Sequence, residues 1–234
     1  MKRESTLLLI GILLVGVVAV SGCNNKQLRE FRGTLKGVSL SPRSDQPDDF
    51  TDFFDKAKQA GDVVMWAGDW IELSNTTGGG PTVVTELAST YNYIPLIEAQ
   101  FFTQSDGVLL RPLDDSTKQI YINSAADFAD RYKPEYLCFG IEVNVLYEKS
   151  QAEFDVFVQF YSEVYDAVKA KSPNTKIFTV FQLEKMKGLN GGLFGGTNDP
   201  TKAQWFLLDR FPTQILLHLQ HILVLYTKPL RRSL

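Results

Sequence analysis

The sequence predicts an α/β fold of the (β/α)8 TIM-barrel type, incomplete, with about five to six βα units. Three observations predict it. Short apolar runs alternate with amphipathic helical stretches from residue 34 to residue 212. The repeat unit is roughly 35 residues, close to one eighth of the ~250 residues of a full barrel. No G-x-G-x-x-G follows the first run, which counts against an open doubly wound sheet, the other architecture compatible with the alternation.

Each element follows from local chemistry. Residues 36–41 are short and β-rich and stop at Pro42. Residues 47–60 place Phe50, Phe53, Phe54 and Ala57 on one helical stripe, and Gly61 ends it. Residues 62–67 form a second apolar strand. The Gly78-Gly-Gly-Pro81 loop then opens a helix over 82–91. Residues 93–102 are the third strand. Ser124, with Asp127 three residues on, predicts a helix start, and Lys133-Pro134 its end. Residues 136–144 read as one uninterrupted fourth strand. Ser150 and Glu153 form a capping box ahead of a helix that buries Phe154, Phe157, Val158, Tyr161, Tyr165 and Val168. Ser172-Pro-Asn174 turns the chain into a fifth strand over 176–182. Asp199-Pro200 opens a last helix through Asp209, with Trp205 in its core.

The two ends differ from this repeat. Lys2 and Arg3 precede an apolar run over 7–20 and the stretch Val20-Ser-Gly-Cys23. That is an export signal, too short for a spanning helix of ~20 residues. Val-Ser-Gly-Cys resembles the lipobox of prokaryotic lipoproteins. The resemblance implies a signal peptide over 1–22, a lipid on Cys23 and a polar tether over 23–33. The alternative is an uncleaved anchor; both place the domain outside the cytoplasm, at the cell surface and held at the membrane through the N-terminus. With Cys23 lipidated, Cys138 has no intrachain partner and reads as a buried apolar filler.

At the other end, no Asp or Glu follows Asp209, although the chain holds 27 of them, and both histidines, His218 and His221, lie there. The stretch 215–225 has no clean helical face. DNA encoding 213–234 can, read two bases later, specify a buried strand and a Pro- and Thr-rich loop. The expectation is therefore a frameshifted, truncated relative of a longer protein, which the gene's nucleotides decide; a native hydrophobic C-terminal helix is the alternative.

Composition bounds the function. The chain has 234 residues, 44% hydrophobic and 22% charged, with a net charge of −3, which is globular composition. A net acidic chain is not expected to bind nucleic acid. No histidine precedes 218, so no Ser-His-Asp or Cys-His set exists, and no metal site or cofactor is expected. Asn75-Thr-Thr77 has the form of a glycosylation sequon.

In a barrel, functional groups gather at the C-terminal ends of strands. Those ends carry Trp66, Asp69 and Trp70; Glu98 and Gln100; Glu142 and Asn144, with Tyr147 and Glu148 beyond; and Gln182 and Glu184. Residues two apart in a strand share a side, so three successive strands each present a carboxylate beside an amide. Carboxylates, amides and aromatic faces suit sugar hydroxyls and C–H faces. Salt bridges from Glu98 and Glu184 to Arg43, Lys185 or Lys187 are the structural alternative.

Phe139-Gly-Ile-Glu-Val-Asn144 resembles the Gly-Asn-Glu-x-Asn stretch of clan A glycoside hydrolases, retaining (β/α)8 enzymes such as the family 53 galactanases. The resemblance implies Glu142 as general acid/base and Asn144 as the trailing Asn. Ile141 replaces the Asn that precedes the acid/base, and the nucleophile of that clan lies on a seventh strand beyond this repeat. The expected function is a glycoside hydrolase-like surface lipoprotein acting on or binding a glycan, an enzyme if full length and inactive as this chain. Trp66, Asp69, Trp70, Glu98, Gln100, Asn144, Gln182 and Glu184 would contact the glycan. The alternative is a non-catalytic glycan-binding or solute-binding lipoprotein. The expected partners are a glycan and the membrane, with no protein partner.

Overall fold

The computed structural model describes residues 35–39, 41–189 and 199–211, and the backbone of two further strands within 214–226. The export signal, the lipidation residue Cys23 and the tether lie outside the described residues.

One sheet runs in strict sequence order: β1 Gly37–Val38, β2 Val63–Asp69, β3 Ile94–Gln100, β4 Tyr136–Phe139, β5 Lys176–Gln182, β6 Gln214–Leu219 and β7 Ile222–Tyr226. The first six strands pair parallel and β7 returns antiparallel to β6. Helices occupy the connections: α1 Pro47–Ala60, α2 Gly80–Glu86, α3 Ala88–Tyr91, α4 Asp115–Tyr132, α5 Val143–Lys149, α6 Gln151–Lys171 and α7 Leu183–Met186. A doubly wound sheet reverses its strand order and carries helices on both faces. Here the order never reverses.

The two sheet faces pack differently. Val64, Ile97, Ala99, Leu137, Phe139, Ile177 and Phe181 join the helices in one large core. Val63, Leu96, Cys138, Phe178 and Val180, alternating with the first set, form a second cluster built from strand residues and Ile141, with Leu35 packed against it. Helices on one face and a strand-lined interior on the other are the section of a (β/α) barrel.

The phenylalanine stripe of α1 packs as expected. Phe54 is buried and stacks on Tyr93 at 5.8 Å between ring centroids, with Phe50 and Phe53 beside it. Gly61 then lets β1 pass: a Cβ there would meet the Lys36 carbonyl oxygen at 2.6 Å. In α6, Ser150 accepts the Glu153 amide, while Phe154, Phe157, Tyr161 and Val168 are buried.

Several elements depart from expectation. Helix α4 begins nine residues before Ser124, because Asp114 caps it by accepting the Thr117 amide at 2.8 Å. Ser124 is buried mid-helix and donates to the Tyr121 carbonyl. The helix expected over 82–91 starts at Gly80 and divides at Leu87. Strand β4 stops at Phe139, since Gly140 and Glu142 both have positive φ, 82° and 59°. The last expected helix is instead two 3-10 turns, Pro200–Lys202 and Trp205–Arg210. Gln204 sits between them and is pulled out of helical geometry by long-range hydrogen bonds, including its amide to the Met186 carbonyl at 3.2 Å. Trp205 is 42% exposed rather than core. Where the expected alternative is a helix over 215–225, the described residues Gln214–Leu219 and Ile222–Tyr226 are extended and form β6 and β7. Their Ile, Leu and Val favour strand where no helical face exists to bury.

Candidate active site at the ends of the parallel strands

Parallel pairing brings the C-terminal ends of β2 to β5 to one side of the sheet. Two side-chain amides then continue the pairing after the strands have stopped. Gln100 Nε2 donates to the Ile141 carbonyl at 2.9 Å, and its Oε1 accepts the amides of Ile141 at 3.2 Å and Phe101 at 3.1 Å. Asn144 does the same on the other flank. Its Nδ2 donates to the Gln182 carbonyl at 3.0 Å and its Oδ1 accepts the Gln182 amide at 2.9 Å. Each amide thus imitates a peptide group and sews one strand end to the next.

Glu142 lies between the two bridges, half-buried, with φ 59° and ψ 46°. A non-glycine residue in that left-handed region carries strain of order 1–3 kcal/mol and persists only where surrounding contacts impose it. Gly140 makes the turn possible: a Cβ on it would strike Val143, Phe157 and Phe101.

A polar chain supports the second bridge. Asn144 Nδ2 also donates to Gln204 Oε1 at 3.1 Å, and Gln204 Nε2 donates to Glu148 Oε1 at 2.8 Å. Glu148 in turn pairs with Lys185. Glu148, Lys185 and Gln182, with Ser105, Asp106 and Lys149, line a depression of about 420 Å³ beside the strand ends.

The expected site residues separate into four groups. Glu142 and Gln182 are half-buried at the strand ends. Glu98 and Glu184 are buried, Glu98 on the strand-lined face level with Cys138, Glu184 in the first turn of α7. The Cys138 thiol is held protonated by burial, with the Glu98 carboxylate adding to the effect. Gln100 and Asn144 hold the backbone. Asn144 is fully buried and both atoms of its amide are engaged, so it is a structural bridge rather than a sugar contact.

The remaining three belong to packing. Asp69 is gripped by Arg111 in a fork at 2.8 and 2.7 Å and caps the 3-10 turn Trp70–Ser74. Trp66 points to the helix-covered face, its indole lying over Gly68 and Gly80. Trp70 has no exposed surface; it stacks on Phe139 at 4.5 Å and Tyr121 at 4.8 Å and donates to the Tyr121 carbonyl at 3.2 Å. It therefore offers no face to a sugar. Of the three basic residues expected as partners for Glu98 or Glu184, Arg43 pairs with Asp49 and Asp52, and Lys185 with Glu148.

Gln204 and Arg111 were not legible as members of this region. Gln204 reaches Glu148 and Asn144 from 56 and 60 residues away, and no local pattern marks it. Among the described residues no cluster of His, Cys, Asp and Glu is arranged to hold a metal ion, and no helix is long and apolar enough to cross a membrane.

No family model matches the chain, and no curated protein matches it. Sixteen solved chains match in structure. Among them is the exo-β-1,4-mannosidase Op5Man5 from Opitutaceae bacterium strain TAV5, at 14% identity and a TM-score of 0.47, over 69% of this chain and 34% of that one. The chain thus spans about a third of the length of that enzyme.

Proposed function

We propose that this chain handles a glycan at the C-terminal ends of its parallel strands, with Glu142 as the proton-donating carboxylate of a glycoside hydrolase-type site. One observation carries the reading. The carboxylate that the sequence singles out occupies a strained left-handed position at the end of β4, locked between the Gln100 and Asn144 bridges. Strain held in place by its surroundings concentrates at functional sites. A positioned general acid contributes about 10²–10⁴-fold to a proton-transfer step.

The test uses a panel of neutral oligosaccharides and Glu142→Gln. Reducing-sugar release by the unaltered chain, lowered by about 10²-fold or more in the variant with binding retained, supports the assignment. Release unchanged by Glu142→Gln removes Glu142 from the chemistry. A chain that neither binds nor cleaves any member of the panel overturns the glycan reading.

A binding-only protein is the second reading, favoured by one observation. Ile141, the residue before Glu142, is buried in the strand-lined apolar cluster and offers no hydrogen bond to a sugar hydroxyl. Retaining hydrolysis also needs a second carboxyl ~5–5.5 Å from the acid. Oligosaccharide binding without sugar release selects this reading.

We also infer that the chain is exported and carries its lipid on Cys23. The basic pair Lys2-Arg3, the apolar run over 7–20 and Val20-Ser-Gly-Cys23 support this. Labelled fatty acid should be incorporated by the unaltered chain and lost in Cys23→Ser; equal labelling of both excludes Cys23 as the anchor.

A further inference from the structure

We propose that Asn75 is the acceptor of an N-linked glycan. The sequence there is Asn75-Thr76-Thr77, the acceptor pattern with no proline in the middle. Such triplets are common, and many are buried or locked inside regular structure. This one is neither. Residues 75–78 are an exposed run between the 3-10 turn Trp70–Ser74 and helix α2.

The local geometry suits the chemistry. Thr77 donates to Asn75 Oδ1 twice, through its amide and its hydroxyl, each at 3.2 Å. Two donors on the amide oxygen draw electron density from Nδ2 and make its proton easier to lose. Nδ2 makes no hydrogen bond among the described residues. The Asn75 backbone is anchored instead, its carbonyl accepting from Thr82 Oγ1 at 2.8 Å. Immediately beyond, Gly78 has φ 136° with open space around it. The acceptor therefore sits on a fixed stem, with Gly78 in open space beyond it and Gly79 packed against the Asn75 side chain.

The donor class is an oligosaccharide carried on a lipid phosphate. In the transfer, a bond forms between Nδ2 and the sugar C1. The C1–O bond to the carrier phosphate breaks with its electron pair leaving on the phosphate oxygen, and the proton displaced from Nδ2 passes to a base of the transferase, so that carrier phosphate and one proton are the products released. No oxidant or reductant is involved.

This inference rests on the export part of the proposal above and is independent of Glu142. The full chain is expressed in a host with an N-glycosylating secretory route, the exported fraction is collected, and the peptide containing Asn75 is weighed by mass spectrometry. The expected result is a glycan mass on Asn75 that disappears in Asn75→Gln and in Thr77→Ala and persists in Thr77→Ser. Exported chain with an unmodified Asn75 overturns the site. If the chain stays in the cytosol, the export reading fails instead. The same peptide is then read from a chain whose residues 1–22 are replaced by the host's own export leader, and an unmodified Asn75 there overturns the site.

Discussion

Trp70→Ala lowers the unfolding free energy by about 4 kcal/mol, in the middle of the ~3–5 kcal/mol seen when a fully buried aromatic is truncated. The side chain has no exposure and sits among four rings: Phe139 and Tyr121 stacked on it, Phe101 edge-on and Phe160 tilted. Truncation removes the transfer energy of the indole and leaves a cavity that rings from β4, α4 and α6 cannot close without leaving their own contacts. The lost hydrogen bond is a smaller effect. The Tyr121 carbonyl that accepts from Trp70 Nε1 also accepts from Ser124 Oγ at 3.0 Å, so it is not stranded. Urea unfolding followed by circular dichroism measures the loss, and Trp70→Phe should recover roughly half of it. A loss under about 1 kcal/mol would place the ring outside the core and reopen it as a sugar platform.

Asn144→Leu is expected to cost about 3 kcal/mol or more, because it strands the amide and carbonyl of half-buried Gln182 and the Oε1 of buried Gln204 at once, at roughly 1–3 kcal/mol per unsatisfied buried group and toward the low end where the group is only half-buried. The leucine has nearly the same shape, so the loss reports hydrogen bonds rather than volume. Asn144→Asp separates the two directions of the bridge. A carboxylate can still accept the Gln182 amide, but it opposes the Gln182 carbonyl and Gln204 Oε1, and it is fully buried. Both effects raise its folded pKa above the unfolded value of about 3.9. Stability of that variant should therefore be highest below about pH 4 and fall as pH rises through the raised folded value. Unfolding curves at pH 4 and pH 7, referred to the unaltered chain at each pH, check the sign. A pH-independent difference would mean that the amide does not face the two acceptors.

The same bridge explains what local patterns could and could not reveal. The strand over 176–182, the helix over 47–60 and the helix after Ser150 follow from apolar spacing and capping within a few residues, and the structure repeats them closely. The apolar run over 136–144 obeys the same local rule and misleads. Its second half is bent by Gln100 and Gln182, which are 41 and 38 residues from their partners Ile141 and Asn144. Trp70 is similar. It stands next to the end of a strand, where exposed site residues gather, yet Tyr121, 51 residues later, encloses it.

From the amino-acid order alone come the alternation of strand and helix, the faces that must be buried and the carboxylates placed near strand ends. Those depend on periodicity and side-chain chemistry, which act over a turn or a strand length. Tertiary structure alone decided which polar groups hold the backbone together. Once packed, Asn144, Gln100 and Asp69 spend hydrogen-bonding capacity on backbone and on Arg111, and Glu142 is set half-buried at the bend that follows β4. Hydrogen bonds between distant segments make that distinction, and a linear pattern does not contain them.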